Sequence, residues 1–288
     1  MEVTPRGDWH PRLCDPSGGR HADRVQAGIR SAADRVRHGG MTMVLDKGLG
    51  WHAYTDLIDT SGAYIDFIKL GFGTAPLYPN ELLLRKIRYA RQNGIVIMPG
   101  GTMLETAVHL GLTDSFFETV TRLGFDGMEV SDGTIELDRS SRTSLIREGA
   151  RRGLRVCSEY GKKESGSEID PYDLAVTAEL DWEAGSELIT IEARESGLNV
   201  GMFDASGSCK EDTFETILRL LPDTNRILWE APLKAQQVYL IQAIGPEVHL
   251  GNIPPHDVIA LEAMRRGLRN DTFPHRHKQQ HEEGYYMI

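Results

Sequence analysis

Eight short apolar runs, each leading toward a segment of different character, constrain the fold of this chain more than any other feature. They read MTMVLD, YIDFIKL, GIVIMP, GMEV, LRVCSEY, ELITIEA, RILWEA and EVHLGN. Between them lie stretches with helical spacing or composition, such as ELLLRKIRYARQNG, DSFFETVTRLG, RTSLIREGARRG, PYDLAVTAELDWEAG, EDTFETILRLL, KAQQVYLIQAIG and HDVIALEAMRRG. Several of these end in Gly, the residue that most easily takes the left-handed turn closing a helix. Strict alternation of strand and helix implies parallel strands joined by right-handed crossovers. The candidate strand ends Asp46, Lys69, Gly100, Glu129, Glu159, Glu192, Glu230 and Asn252 recur 22 to 38 residues apart, a spacing that suits a closed (β/α)8 TIM barrel. The predicted fold class is therefore α/β, with one barrel domain over 41–272. A doubly wound open sheet is the alternative. The 288 residues, 40% of them hydrophobic, suffice for a core of that size. An Arg/Gly-rich arm over 1–40, helical near Ala22 to Arg37, precedes the barrel, and a polar tail over 273–288 follows it.

The apolar runs end in charge. ITIEARESG passes from Ile189 and Ile191 to Glu192, Arg194 and Glu195; GMEVSDG delivers Glu129, RVCSEYGKK brings Glu159, Lys162 and Lys163, and RILWEAP ends with Glu230. In a barrel the C-terminal strand ends converge on one mouth, so the four glutamates are expected to face one another. Clustered carboxylates repel unless cations compensate them, and hard oxygen donors suit Mg²⁺ better than zinc. With Lys69, Lys162, Lys163 and Arg194 nearby, the set describes a site for Mg²⁺ and an anionic substrate. Ion pairs arranged around the rim with no catalytic part are the alternative.

Composition removes other classes. A formal net charge of −10, from 42 acidic and 32 basic residues, argues against general nucleic-acid binding. Cys14, Cys157 and Cys209 lie far apart and form neither a disulfide framework nor a zinc-finger spacing, so a reducing cytoplasm is the expected compartment. No apolar run reaches transmembrane length and no signal-peptide stretch opens the chain. Walker A, GxGxxG and HExxH patterns are absent, and Ser131, Ser158 and Ser196 lack a nucleophile-elbow context. His10, His21, His275, His277 and His281 fall in the arm and tail. In MPGGTMLE, Gly100 and Gly101 lead from strand to helix as an anion-binding turn would, while Thr102 and Glu105 have capping-box spacing.

Ten motifs, LDKGLG, KLGFGT, GGTMLE, GFDGMEVSDGTIEL, EYGKKE, IEARESG, WEAP, QQVYLIQAIG, LGNIP and LEAMRRGLRNDT, together resemble the phosphosulfolactate synthase family over roughly Met43 to Thr272. The chain is also similar to plant heat-stress-associated relatives of that family. The resemblance implies a (β/α)8 enzyme that uses Mg²⁺ to add sulfite to phosphoenolpyruvate; another sulfur nucleophile, or a non-catalytic stress or interaction barrel, are the alternatives. It implies that a Lys of EYGKK donates a proton, with Lys162 favoured over Lys163 and a lowered pKa expected for it. Glu129, Glu159, Glu192 and Glu230 become Mg²⁺ ligands, directly or through water. Lys47, Lys69 and Arg194 become anion-binding groups, with Gly100, Gly101 and Asn252 offering backbone or amide contacts. Small-molecule substrates, no nucleic acid, no membrane and a homo-oligomer are expected.

Overall fold

The computed structural model describes residues 11–16, 40–221 and 223–273. The expected helix near Ala22 to Arg37 and the tail beyond Phe273 lie outside the described residues. In chain order the strands are β1 (Thr42–Asp46), β2 (Phe67–Leu70), β3 (Val96–Pro99), β4 (Gly127–Val130), β5 (Arg155–Tyr160), β6 (Leu188–Ile191), β7 (Ile227–Glu230) and β8 (His249–Ile253). The α-helices are α1 (Pro11–Cys14), α2 (Trp51–Ser61), α3 (Asn80–Gln92), α4 (Gly101–His109), α5 (Thr113–Leu123), α6 (Arg139–Arg151), α7 (Pro171–Ala184), α8 (Glu211–Leu220), α9 (Lys234–Ile244) and α10 (Val258–Arg265).

The eight strands form one parallel sheet in the order β3-β2-β1-β8-β7-β6-β5-β4, curled into a (β/α)8 barrel. Seven neighbouring pairs share parallel ladders, regular in register except between β1 and β8. The edges β3 and β4 meet differently. Ile97 N donates to the Asp126 side chain at 2.8 Å, and Asp126 N reaches Ile97 O at 3.4 Å. Gly127 permits the approach, since a Cβ there would sit 2.7 Å from a Val96 methyl.

Helix boundaries follow local chemistry. Asp170 caps α7 by accepting from Tyr172 N and Asp173 N, Pro171 stands in its first turn, and Gly185 ends it at φ 114°, as capping physics prescribes. Gly124 ends α5 at φ 88°. Sequence periodicity had not revealed α2, whose buried face is Tyr54, Leu57, Ile58 and Ser61 amid polar neighbours.

Two apolar layers result. Between strands and helices lies the larger core, including Val44, Ile68, Ile97, Val130, Ile189 and Trp229. Inside the barrel, Met43, Phe67, Val96, Met98, Cys157, Leu188 and Leu228 pack together. Strand side chains alternate faces with period two. Lys69, Glu159 and Glu230 therefore follow Phe67, Cys157 and Leu228 on the inward face, one layer nearer the mouth. Glu129 and Glu192 keep the same parity on β4 and just past β6. This is why buried strands end in charge: their last inward positions line the mouth rather than fill the core.

Candidate active site

Lys69 is the centre of the cluster. Its ammonium lies 2.9 Å from Glu230 Oε1, 3.1 Å from Glu129 Oε1 and 3.7 Å from Glu159 Oε2. Lys69 is 5% exposed, and Glu129, Glu159, Glu192 and Glu230 are each 2% exposed. The second oxygens are also engaged. Glu230 Oε2 accepts from Ala193 N at 2.9 Å and Arg194 N at 3.1 Å, while Glu192 Oε1 accepts from Arg194 N at 2.6 Å. To present that amide Arg194 adopts φ 59°. The four described non-glycine residues with positive φ, Phe72, Arg194, Asn199 and Asn252, follow β2 or β6 or end β8, so unusual backbone gathers at the mouth as it does at functional sites.

The Gly100–Gly101 turn already holds a carboxyl group, and it is part of the protein. Gly101 N donates to Glu129 Oε2 at 2.7 Å, so the first turn of α4 stabilises a carboxylate. A Cβ on Gly101 would fall 2.1 Å from Ser131 Oγ, which explains the glycine. The capping box expected of Thr102 and Glu105 is absent: Gly100 is the N-cap of α4, and no side chain caps the helix. Glu105 instead reaches the β4 loop, accepting from Ser131 Oγ, from Gly133 N at 3.2 Å and from Thr134 N at 3.0 Å.

The two lysines of EYGKK separate. Lys163 Nζ enters the cluster, 3.2 Å from Glu159 Oε1, 3.4 Å from Glu105 Oε1 and 3.4 Å from Thr102 Oγ1. Lys162 Nζ donates to Asp132 O at 2.8 Å and pairs with exposed Glu136 at 3.1 Å. The structure thus brings Lys163, not the favoured Lys162, to the glutamates, because backbone direction reverses side-chain orientation between neighbours. Arg194 lies alongside, Nη1 donating to Lys163 O at 3.2 Å. Lys47 is exposed just past β1, with no ion pair among the described residues. Asn252 is 5% exposed, and its Oδ1 has no hydrogen-bond partner among the described residues. An extra β8 residue between the pairings Thr42 with Leu250 and Val44 with Ile253 accompanies its φ of 52°, as in a β-bulge.

Burial and mutual repulsion divide the acids. Burial raises the Glu129 carboxyl to about 7 against the pull of Lys69, and Glu159 and Glu230 add to the rise. Burial, with Glu159 and Glu230 adding, holds Glu192 well above the usual range. Burial would raise Glu159 too, but Lys163 and Lys69 together bring it down to about 2. Burial pulls both ammonium groups down, yet the glutamates outweigh it and raise Lys69 and Lys163 above the usual lysine range.

Residues 31–271 match the family model described as (2R)-phospho-3-sulfolactate synthase. A phosphosulfolactate synthase from Methanothermobacter thermautotrophicus is 42% identical over 240 residues, which span 83% of this chain and 93% of that one. The chain belongs to the phosphosulfolactate synthase family. It is accordingly an enzyme. The plant resemblance is present but distant: HEAT-STRESS-ASSOCIATED 32 of Arabidopsis thaliana is 22% identical over 231 residues, covering 73% of this chain and 79% of that protein. Among solved structures, 3-hexulose-6-phosphate synthase from Salmonella typhimurium superposes with a TM-score of 0.51 at 16% identity, over 77% of this chain and 96% of that one, a likeness of fold alone.

Within this phosphosulfolactate synthase barrel, the donor set has the chemistry of a hard-cation site. Glu159 and Glu192 lie close enough to shift each other's titration, and neighbouring buried carboxyls repel unless a proton or a cation compensates them. Four glutamates stand against the ammonium groups of Lys69 and Lys163, leaving surplus acid. Glu129 and Glu230 have both oxygens on Lys69 and backbone amides, whereas Glu159 lies against the Lys69 and Lys163 ammonium groups and Glu192 accepts from Arg194 N through one oxygen. Among the described residues no group of three or more His, Cys, Asp or Glu side chains is arranged to hold a metal ion.

Sequence reasoning missed two supports of this site. Glu105 was hidden by a local spacing that suggested a cap. Arg142 joins Asp181 through Nη2 at 2.7 Å and Asp132 through Nη1 at 3.2 Å, and donates to Glu159 O at 2.9 Å, fixing the end of β5 from outside. Its partners on β5 and α7 come from separate units, so local pattern carries no trace of them.

Proposed function

We propose that this enzyme adds sulfite to phosphoenolpyruvate to give (2R)-phospho-3-sulfolactate, with Lys163 as proton donor and Mg²⁺ held by Glu159 and Glu192. The observation that carries this reading is the Lys163 ammonium beside those carboxylates in the mouth of a phosphosulfolactate synthase barrel. The sulfur lone pair of sulfite forms the C–S bond at the methylene carbon. The π pair moves onto the carbon bearing phosphate and its carboxylate, and a proton delivered to that carbon completes the product.

Within the chain, Lys163 Nζ supplies that proton and regains one from water; a positioned acid of this kind contributes on the order of 10²-fold or more. Mg²⁺, when bound, supplies positive charge where the substrate carboxylate gains negative charge. Lys69, locked among Glu129, Glu159 and Glu230, keeps the acids in register and sets the mouth's charge. Arg194, Lys47 and Asn252 are the groups available to the phosphate and the sulfur oxyanion, consistent with phosphate binding near the last strands of such barrels.

We place the reaction in a reducing cytoplasm, consistent with free Cys14, Cys157 and Cys209, and expect a homo-oligomer, which light scattering on the purified chain would test. No helix among the described residues is long and apolar enough to cross a membrane. The test of activity is incubation with phosphoenolpyruvate, Mg²⁺ and sulfite, with sulfide and thiols in parallel and products identified by mass spectrometry. Phosphosulfolactate formed only with sulfite is the expected result. A product from another nucleophile alone would replace the substrate, and unconsumed phosphoenolpyruvate in every arm would defeat the reading.

A further inference from the structure

We infer that Glu105 is a positioning residue that holds Lys163 and the β4 loop as one unit, an inference that rests on Lys163 being the proton donor. Glu105 is 2% exposed on α4, and a buried carboxylate persists only where donors replace the water it has lost. Three come from one short stretch after β4: Ser131 Oγ, Gly133 N and Thr134 N. The fourth partner is the Lys163 ammonium at 3.4 Å.

The link to Lys163 is also steric. A Cβ built on Gly133 would lie 2.9 Å from both Cε and Cγ of Lys163 and 3.0 Å from its Cδ, so the lysine stem lies along Gly133. Lys163 N in turn donates to Gly133 O at 3.3 Å. Glu105 therefore sets the floor on which the lysine chain rests and also attracts the ammonium at its end. Thr102, one turn earlier on the same helix, adds its hydroxyl 3.4 Å from that ammonium. A long lysine side chain has many rotamers, and ordering it costs conformational entropy. Glu105 lets the fold bear that cost before substrate binds, and Ser131, whose hydroxyl donates to Glu105, serves by orienting it.

A residue acting this way should affect turnover more than substrate affinity. Glu105→Gln keeps the size and one acceptor oxygen but removes the charge and faces an N–H₂ group toward donors. Its kcat should fall about ten- to a hundredfold, the scale of a misplaced reacting group, while phosphoenolpyruvate binding measured by calorimetry stays within about threefold. Unchanged turnover, or turnover and binding lost in equal measure, would overturn the inference. Lys163→Ala is measured beside it. If Lys163→Ala is slow and Glu105→Gln is not, only the role of Glu105 is lost; if Lys163→Ala turns over normally, the proton-donor reading fails and this inference goes with it. Should Glu105→Gln not fold, Ser131→Ala removes one donor while leaving the charge. It should lower kcat several-fold with binding retained, and normal turnover in that variant would count against Glu105.

Discussion

Lys162 and Lys163 are neighbours in the chain but not in space: one ammonium sits 3.1 Å from exposed Glu136, the other 3.2 Å from buried Glu159. Their substitutions should separate as sharply. Lys163→Ala should lower kcat by about 10²-fold or more, whereas Lys162→Ala, which loses a largely solvated pair, should stay within about threefold of the parent. Steady-state rates of product formation decide this, and a dead Lys162→Ala enzyme with an active Lys163→Ala one would reverse the assignment.

Metal should be needed for turnover and should stabilise the fold. Chelator is expected to abolish activity and Mg²⁺ to restore it; Mg²⁺ should also raise the melting temperature, since a ligand that binds only the folded chain stabilises it. Glu192→Gln should weaken that thermal response at least about tenfold in Mg²⁺ concentration. Full activity in excess chelator would recast these acids as ion-pair partners of Lys69 and Lys163.

The metal-free protein should lose stability as pH rises through neutrality. Glu129 is raised to about 7 from an ordinary 4.5, so the folded chain holds a proton there that the unfolded chain has released. Its contribution is fully present below about 4.5 and is lost as pH rises through about 7; raised Glu192 acts in the same direction. Glu159, lowered to about 2, opposes them only in acid: its contribution is present above about 4.5 and is lost as pH falls through about 2. Melting temperatures in chelator between pH 5.5 and 8 should therefore decline, and Glu129→Gln should flatten the decline.

Gly101→Ala should be costly for a residue gaining one methyl. The new Cβ would lie 2.1 Å from Ser131 Oγ and 2.8 Å from Ser131 Cβ, displacing the start of α4 from Glu129. Destabilisation of about 1–3 kcal/mol is expected, as for overpacked cores, and denaturant titration would measure it.

Much of this was legible in sequence, for identifiable reasons. Parity along a strand is local, so the inward layer carrying Lys69, Glu129, Glu159 and Glu230 could be read from Phe67, Cys157 and Leu228 two residues earlier. What failed depended on distant partners or on backbone direction. Glu105 sits three residues after Thr102, which suggested a cap, but its donors are 26 to 29 residues away. The fate of Lys162 and Lys163 turns on the path after Gly161, at φ 126°. Helix α2 buries too few large apolar side chains to stand out from its polar neighbours.

The junction of β3 and β4 carries a different kind of consequence. Strand edges are adhesive because their amides and carbonyls can template another chain, and these two edges are covered by each other without a regular ladder. Asp126, accepting from Ile97 N at 2.8 Å, is the latch. If it gives way, two strand edges become available at once, one on each side of the opening. The first symptom of damage at this carboxylate would then be aggregation, well before any change in the chemistry of the mouth.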